Sequence, residues 1–507
     1  MPDETQPEPD EAAPTEGFPL PAYDVISVNP PAPKRRLGLL VGIGAVILAT
    51  VATAGIYAAA QLSGGGTQPE ELVPATAFAF AKIDLDPAAN QKIAVNELAN
   101  HFPDAPKGTA DDVLQRFVRE AFKEVDEVDY DADIKPWLDK RVGLAGFVDA
   151  AGKAHPLGVV QSKDDAKARV AMDKLVAGEQ DVAYTIDRGY VLISDTQAAA
   201  DEAKTESAKA SLDGNDTYQA DVDLLDGDQI LVGWADVKRS FDVFTKEAGD
   251  LTPLDLSKLP SFITDRITGR FVAGLHAEKG YLELAGRSIG GDLSKVKTGG
   301  LDLFSRLPAG TVAAVGAYGL DETLGEAFYQ FAASDLIPGF AAGLADIEKE
   351  IGISIRDEII PLLGSETAVQ LGDVPDLESA PEVGFISTVR DPAKVRATAV
   401  KLARIARDTG FPVVSRLDGN TFYLALEQSH LDQLKATGGL TSDPTFKTAM
   451  GDLGDRLGAA FYADLGRLLT LAKDTDLYDN LRPLSAVGLV SGIDGDQAFF
   501  RLRVVVR

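Results

Sequence analysis

The sequence predicts an α+β protein: two tandem duplicated domains with antiparallel sheets and packed helices, preceded by one transmembrane helix and a disordered tail. Three observations lead there. An uncharged run at residues 37–62 is long enough to span a bilayer. Beyond residue 69 the chain says nearly the same thing twice, in the same order. Within each copy, strand-like segments come in pairs joined by short turns and are followed by helical patterns, the rhythm of antiparallel pairing rather than of a doubly wound parallel sheet.

Residues 1–36 are rich in proline and acid and hold few periodic apolar residues. Such a segment buries too little surface to offset its ordering entropy, so it reads as a disordered cytoplasmic tail. Its "FPLPAYDVISV" (18–28) is either a short docking motif or plain solvated leader. The run "LGLLVGIGAVILATVATAGIYAAAQL" (37–62) follows. About 20 helical residues cross the hydrocarbon core, so this run suffices. Lys34, Arg35 and Arg36 abut its N-terminal side, and the next charge beyond it is Glu70. The positive-inside rule then puts the N-terminus in the cytoplasm and the C-terminal domain outside the cell membrane. A cleavable leader processed at Ala58-Ala59-Ala60 is the rival reading; its apolar region would exceed the usual ~7–15 residues. Gly38 and Gly42 make one GxxxG step, a spacing that lets two membrane helices approach closely. Residues 63–69, "SGGGTQP", form a flexible linker.

The repeat covers 70–290 and 301–507, with "GDLSKVKTGG" (291–300) as the junction. "DADIKPWL" (131–138) is echoed by "DEIIPLL" (357–363), each an acid and an isoleucine before a proline and a bulky apolar pair after it. A strand follows each, then a second strand. Next, "KDDAKARVAMDKL" (163–175) faces "RDPAKVRATAVKL" (390–402), two helices with Asp164 and Asp391 placed to cap them. "VAYTIDRGYVLIS" (182–194) faces "VVSRLDGNTFYLAL" (413–426), two hairpins turning at Arg188-Gly189 and Gly419-Asn420. "TYQADVDLLDGDQILVGWADV" (217–237) aligns without gaps to "TFKTAMGDLGDRLGAAFYADL" (445–465). Each half closes with a hairpin, at 269–287 and 486–506, the second with Asp494-Gly495 as its turn dipeptide.

The acidic tail, the single anchor followed by "SGGG", "ELVPATAFAFAKIDLDP" (71–87), "GISIRDEIIPLLG" (352–364) and the duplicated C-terminal region together resemble a bacterial membrane-anchored family, the domain-of-unknown-function family numbered 3352. The likeness extends over nearly the whole chain after residue 60. It implies an architecture and a location; it brings no catalytic residues.

Composition narrows the chemistry. The net charge is −29, of which −4 lies in residues 1–36 and the rest beyond residue 69. A surface that acidic repels phosphate backbones, so nucleic acid is not an expected partner. There is no cysteine, which excludes disulfides, thiol nucleophiles and thiolate metal sites. The four histidines (His101, His155, His276, His430) are far apart, and no metal or cofactor is expected. Ser294-x-x-Lys297 and Lys297-Thr298-Gly299 mimic motifs of serine acyl transferases, but share one lysine inside the junction. Asp129, Asp131 and Asp133 open with calcium-loop spacing, yet Ile134 stands where glycine is needed and Lys140 where glutamate is needed. Asp84, Asp236 and Asp464 each end a strand-like segment; they read as helix N-caps, with paired carboxylates across the repeat as the alternative.

The sequence therefore expects no catalytic residues and no enzyme. It expects a single-pass envelope protein whose C-terminal domain binds a partner protein of the envelope or scaffolds. The alternative is a carrier holding a lipid or other small apolar ligand between the two repeats; an enzyme with an unrecognised site is the third reading. A flat apolar patch would favour partner binding, and a continuous apolar cavity the carrier.

Overall fold

The computed structural model describes residues 66–84, 88–103, 129–178, 181–247, 267–333, 340–372, 381–410, 413–436, 438–472 and 476–507. The predicted tail and span, with Lys34, Arg35, Arg36, Gly38 and Gly42, lie outside them. No helix among the described residues is long and apolar enough to cross a membrane.

Among the described residues the chain is α+β, built on one antiparallel sheet of sixteen strands. The first eight are β1 (Ala77–Asp84), β2 (Leu138–Val148), β3 (Ala154–Ser162), β4 (Ala183–Asp187), β5 (Tyr190–Ser194), β6 (Leu231–Asp236), β7 (Arg270–Glu278) and β8 (Tyr281–Ile289). The second eight are β9 (Ala313–Tyr318), β10 (Glu366–Leu371), β11 (Val383–Thr388), β12 (Val414–Asp418), β13 (Thr421–Ala425), β14 (Leu457–Ala463), β15 (Leu484–Asp494) and β16 (Gln497–Val506). Across the sheet they run β4-β5-β3-β2-β1-β6-β7-β8-β16-β15-β14-β9-β10-β11-β13-β12. Counted from its own edge inward, the second eight repeats the order of the first.

Two tandem domains with sheets of their own are the sequence expectation; the structure instead joins both halves into one sheet where β8 lies antiparallel to β16. Both strands carry apolar residues on each of their faces ("YLELAGRSI" and "QAFFRLRVVV"), so neither suits a solvent edge. Register fixes the symmetry. Trp234 faces Val272 in the first half and Tyr462 faces Gly488 in the second. Carried across the next ladder, this sets Arg287 and Arg503 at like positions. Ala285 and Arg501, which face each other, then exchange places under an approximate two-fold axis normal to the sheet. Beside that axis, Glu283 is buried and accepts from Arg503 Nε at 2.5 Å; Arg503 also lies over the Tyr281 ring at 4.4 Å. The expected junction is not a free linker: Gly299 exchanges two backbone hydrogen bonds with Leu457 of β14.

Residues opposite each other on antiparallel strands share a face, which defines a front, carrying Leu284, and a back, carrying Glu283. The back is covered along both halves. In the first, α3 (Gln197–Lys209) and α4 (Asp216–Val222) seat Ala203 and Tyr218 on Phe80, Trp234 and Val272. In the second, α10 (Gln428–Lys435) and α11 (Pro444–Met450) seat Leu431 and Phe446 on Ala368 and Tyr462. On the front of the first half, α1 (Ala89–Ala99) and α2 (Asp165–Gly178) bring Val95, Leu98, Met172 and Leu175 onto Val142, Leu231 and Leu275. The front of the second half holds α8 (Ile360–Leu363) and α9 (Pro392–Asp408), whose Leu362 and Val395 cluster with Phe422 near the outer strands.

The echoed proline segments are π-helical turns, Tyr130–Ile134 and Ile355–Ile359. Each is closed reciprocally. Asp129 accepts from Ala132 N (2.7 Å) while Asp133 accepts from Asp129 N (2.9 Å); Ser354 accepts from Asp357 N (3.2 Å) while Glu358 accepts from Ser354 N (3.0 Å). The hairpin turns fall as the sequence reads them, with Arg188 and Gly189 at φ 47° and 76°. The last one is displaced by a residue: Asp494 still pairs with Gln497, so Gly495-Asp496 make the turn.

Candidate functional site

One apolar row crosses the front from half to half. In the first half it runs Val160, Val142, Ile83, Leu231, Leu275 and Leu284, each directly opposite the next. It continues through Leu502, Leu489, Phe461, Val315, Val369 and Phe385. The chemistry of the row is constant; its cover is not. Val142, Leu231 and Leu275 lie under α1 and α2 and are 5%, 8% and 4% exposed. Val315 and Val369 are 48% and 39% exposed. Val383 of β11 is also exposed, and Leu502, Leu489 and Phe461 are half-buried.

The neighbouring front row explains the difference. In the second half it reads Ser387, Thr367, Ala317, Ala459 and Ser491. These small and hydroxyl-bearing residues occupy the register that Val160, Val142, Ile83, Leu231 and Leu275 fill in the first half, so a helix in the place of α1 finds no apolar seats. The helix that follows β9, α6 (Leu320–Ala333), packs on α8 and on α7 (Phe340–Ile351) instead. Its first turn is held by ion pairs, Arg390 to Asp321 (2.7 Å) and Glu322 (2.6 Å), and Lys297 to Glu322 (2.6 Å). Lys297, the residue shared by the two acyl-transferase-like motifs, is thereby a structural cation. At the far end of α7, Glu348 accepts from Ser354 Oγ (3.2 Å) and Ile355 N (2.6 Å). Between these anchors the pair keeps apolar side chains in water: Leu324, Ile347 and Ile351 are exposed. Because α8 packs on the Phe385 side of the sheet, the α6–α7 arm is rooted on the front.

The acidic candidates go elsewhere. Asp133 bonds Lys174 at 2.5 Å and Glu358 bonds Lys401 at 2.6 Å, and each lysine holds its carboxyl below the usual range. Among the described residues no three His, Cys, Asp or Glu side chains come together as a metal site. Asp236 caps α5 (Val237–Glu247) and Asp464 the short helix Leu465–Leu468, accepting from Arg239 N and Arg467 N at 2.9 Å each. Asp84 pairs with Arg141 at 3.2 Å, and α1 begins beyond it with Ala88 at its N-cap. Asp236 ends β6 and Asp464 directly follows β14, with four strands between these two, about 24 Å at the usual spacing, so they form no carboxylate pair. Asp221, which sequence reasoning passed over, is 2% exposed and accepts from Arg270 Nε (2.6 Å), Arg270 Nη2 (3.0 Å) and Trp234 Nε1 (2.8 Å). Glu366 is buried at the start of β10 and accepts from Leu303 N; burial pushes its carboxyl up to about 7. Asp302 nearby adds to the rise, and among the described residues no third acid joins them as a metal site. A polar cleft of about 610 Å³ is lined by Val312, Asp464, Arg467, Leu471 and Arg507, and Arg467 is already paired with Asp464 there at 3.4 Å. Among the described residues, the open front row keeps Val315, Val369 and Val383 exposed side by side.

Residues 40–231 match the model of the family described as Protein of unknown function (DUF3352), the numbered family that the sequence resembles. The match begins within the predicted span and ends at the first residue of β6, a narrower stretch than the likeness read from the sequence. No curated protein and no solved structure matches the chain.

Proposed function

We propose that this chain is a non-catalytic binding module of the cell envelope. A single-pass anchor at 37–62, with its N-terminus in the cytoplasm, presents a duplicated domain whose second half receives a partner on its open front. The observation that carries this is the change of cover along one apolar row: buried at Leu231 and Leu275, open at Val315 and Val369. Contiguous exposed apolar surface marks interaction sites. The patch is open rather than enclosed, which favours a macromolecular partner over a carried small molecule.

The test is photo-crosslinking in intact cells from a reactive residue at position 369, with one at position 400 as control. Val400 is also exposed, but on helix α9. A discrete adduct of protein size from 369, absent from 400 and lost when Val315→Asp is added, supports the reading. An adduct of a few hundred daltons shifts it to the carrier. Equal labelling at both positions, or none at 369, overturns it.

A further inference from the structure

We propose that a divalent transition-metal ion of the zinc class binds on the back of the second half, between His430 Nδ1 and Glu382 Oε2. The two halves of the sheet differ sharply at this place.

Register matches the residues. Gln370 stands opposite Gly384 and Ala314, as Ala145 stands opposite Leu157 and Phe80. Gly372 donates its N–H to the Glu382 carbonyl (2.7 Å), where Phe147 faces His155 in the first half. His430 is the third residue beyond the cap of α10, as Ala199 is beyond the cap of α3. The first half fills this place with apolar groups: Phe147, Leu157 and Ala199 share one buried cluster, and Ala145 packs against it. His155 there has both ring nitrogens paired, with Asp195 (2.7 Å) and Asp149 (3.1 Å).

In the second half the same five positions hold a histidine, a glutamine, a glutamate and two glycines. His430 and Gln370 are 1% and 2% exposed, yet neither ring nitrogen of His430 nor Oε1 of Gln370 has a hydrogen-bond partner. Buried polar atoms are nearly always matched, so these orphans point to a further group that matches them. Glu382 Oε2 lies 3.5 Å from His430 Nδ1. That is long for an N–H···O bond and close to the roughly 3.4 Å between two donors that each lie about 2.0–2.1 Å from a tetrahedral ion. The glycines keep the space clear. A Cβ on Gly372 would lie 2.7 Å from Glu382 Oε2 and 3.2 Å from His430 Cε1, in the gap between the donors; one on Gly384 would lie 2.9 Å from His430 Nε2. Neither glycine has a positive φ, so the space rather than the backbone requires them. With Nδ1 on the ion the ring proton sits on Nε2, toward Gly384 and the facing Gln370. The Gln370 amide oxygen is the acceptor on that side, the outer partner that a metal-bound histidine needs. Imidazole with oxygen donors and no thiolate suits zinc, nickel or copper. The Glu382 side chain is 39% exposed, which gives the ion a path from solvent and leaves its remaining positions to water.

Zn²⁺ is titrated into the full chain in nanodiscs of neutral lipid, against a fluorescent zinc chelator, with empty discs subtracted. Wild type is compared with His430→Ala, with Gly372→Ala, and with Glu382→Gln as a half-buried change that keeps the side chain's size. His101→Ala, at an exposed histidine, is the control. Circular dichroism checks that each is folded. One Zn²⁺ per chain is expected, held about tenfold or more weaker by the first three variants and unchanged by His101→Ala. Zinc should also raise the unfolding temperature of wild type and not that of His430→Ala. Wild type that holds no zinc, or holds it no tighter than His430→Ala, overturns the proposal. So does an equal loss in His101→Ala. Gly372→Ala removes no donor and only fills the gap, so full binding by that variant overturns the placement between His430 and Glu382.

Discussion

Removing the guanidinium of Arg270 is expected to cost more than removing the carboxylate it holds. Asp221 is 2% exposed, whereas about a third of the Arg270 side chain reaches water. Arg270→Ala leaves a buried carboxylate with only the Trp234 indole as donor, a change worth about 3–5 kcal/mol. Asp221→Ala leaves a guanidinium that can hydrate and one orphaned indole N–H, about 2–3 kcal/mol. The second half shows the uncharged solution at the same place. Ala449 stands where Asp221 does, Ala486 where Arg270 does, and Tyr462 replaces Trp234, packed edge-on against Phe446 at 4.9 Å between ring centres. The triple variant Asp221→Ala/Arg270→Ala/Trp234→Tyr installs that set in the first half. Its loss should fall short of the summed single losses by about 2 kcal/mol or more, as expected for groups that share one network. Urea unfolding at pH 7 reads this through the fluorescence of Trp137, which lies in the first half and is kept in every variant. Additive losses, or an Arg270→Ala cost below about 1 kcal/mol, would refute the reasoning.

Three further outcomes are expected. Glu366, with its folded pKa raised from 4.5 to about 7, contributes stability that is fully present below about 4.5 and is lost as pH rises through about 7. The difference is about 3 kcal/mol; Glu366→Gln should flatten the stability profile between pH 5 and 7, and an unaltered slope would show that the carboxyl titrates normally. Asn215 and Asp443 cap α4 and α11, each accepting from two amides. Alanine at either should cost about 1 kcal/mol, measured as equal shifts in urea unfolding; a twofold inequality would argue against equivalent caps. Arg503→Met strips the closest cation from buried Glu283, so destabilisation of about 3 kcal/mol is expected. Amide exchange should quicken in β8 and β16 and stay unchanged in β3 and β11; uniform exchange would mean the seam does not rest on that pair.

Much of the fold was legible because its signals are local. Asp391 before Pro392 marks a helix start, and its carboxylate accepts from Ala393 N and Lys394 N. Arg188-Gly189 marks a two-residue turn. Repetition made each such signal count twice. What was not legible depends on pairs far apart in sequence. Nothing local in "YLELAGRSI" says that its outer side meets "QAFFRLRVVV" and merges two sheets into one. The open row was hidden for the same reason: Val315 and Val369 alternate with small residues as any strand does, and only the register against Ser387, Thr367 and Ser491 shows why no helix settles there. Asp221 looked like one more surface acid until the fold set Arg270 and Trp234 around it.

The seam between β8 and β16 has a consequence for assembly. Cut there, each eight-stranded unit would present a nine- or ten-residue edge strand to water, a template for pairing with any like strand. The approximate two-fold axis through Ala285 and Arg501 means that the edge of one unit is the complement of the other. Such a unit on its own is a homodimer in waiting, and covalent linkage converts that encounter into an intramolecular one at high effective concentration. The edges that remain, β4 and β12, are five residues long each and end in Asp187 and Asp418. Fusing two units thus retires the two adhesive edges and leaves the two least able to recruit another sheet.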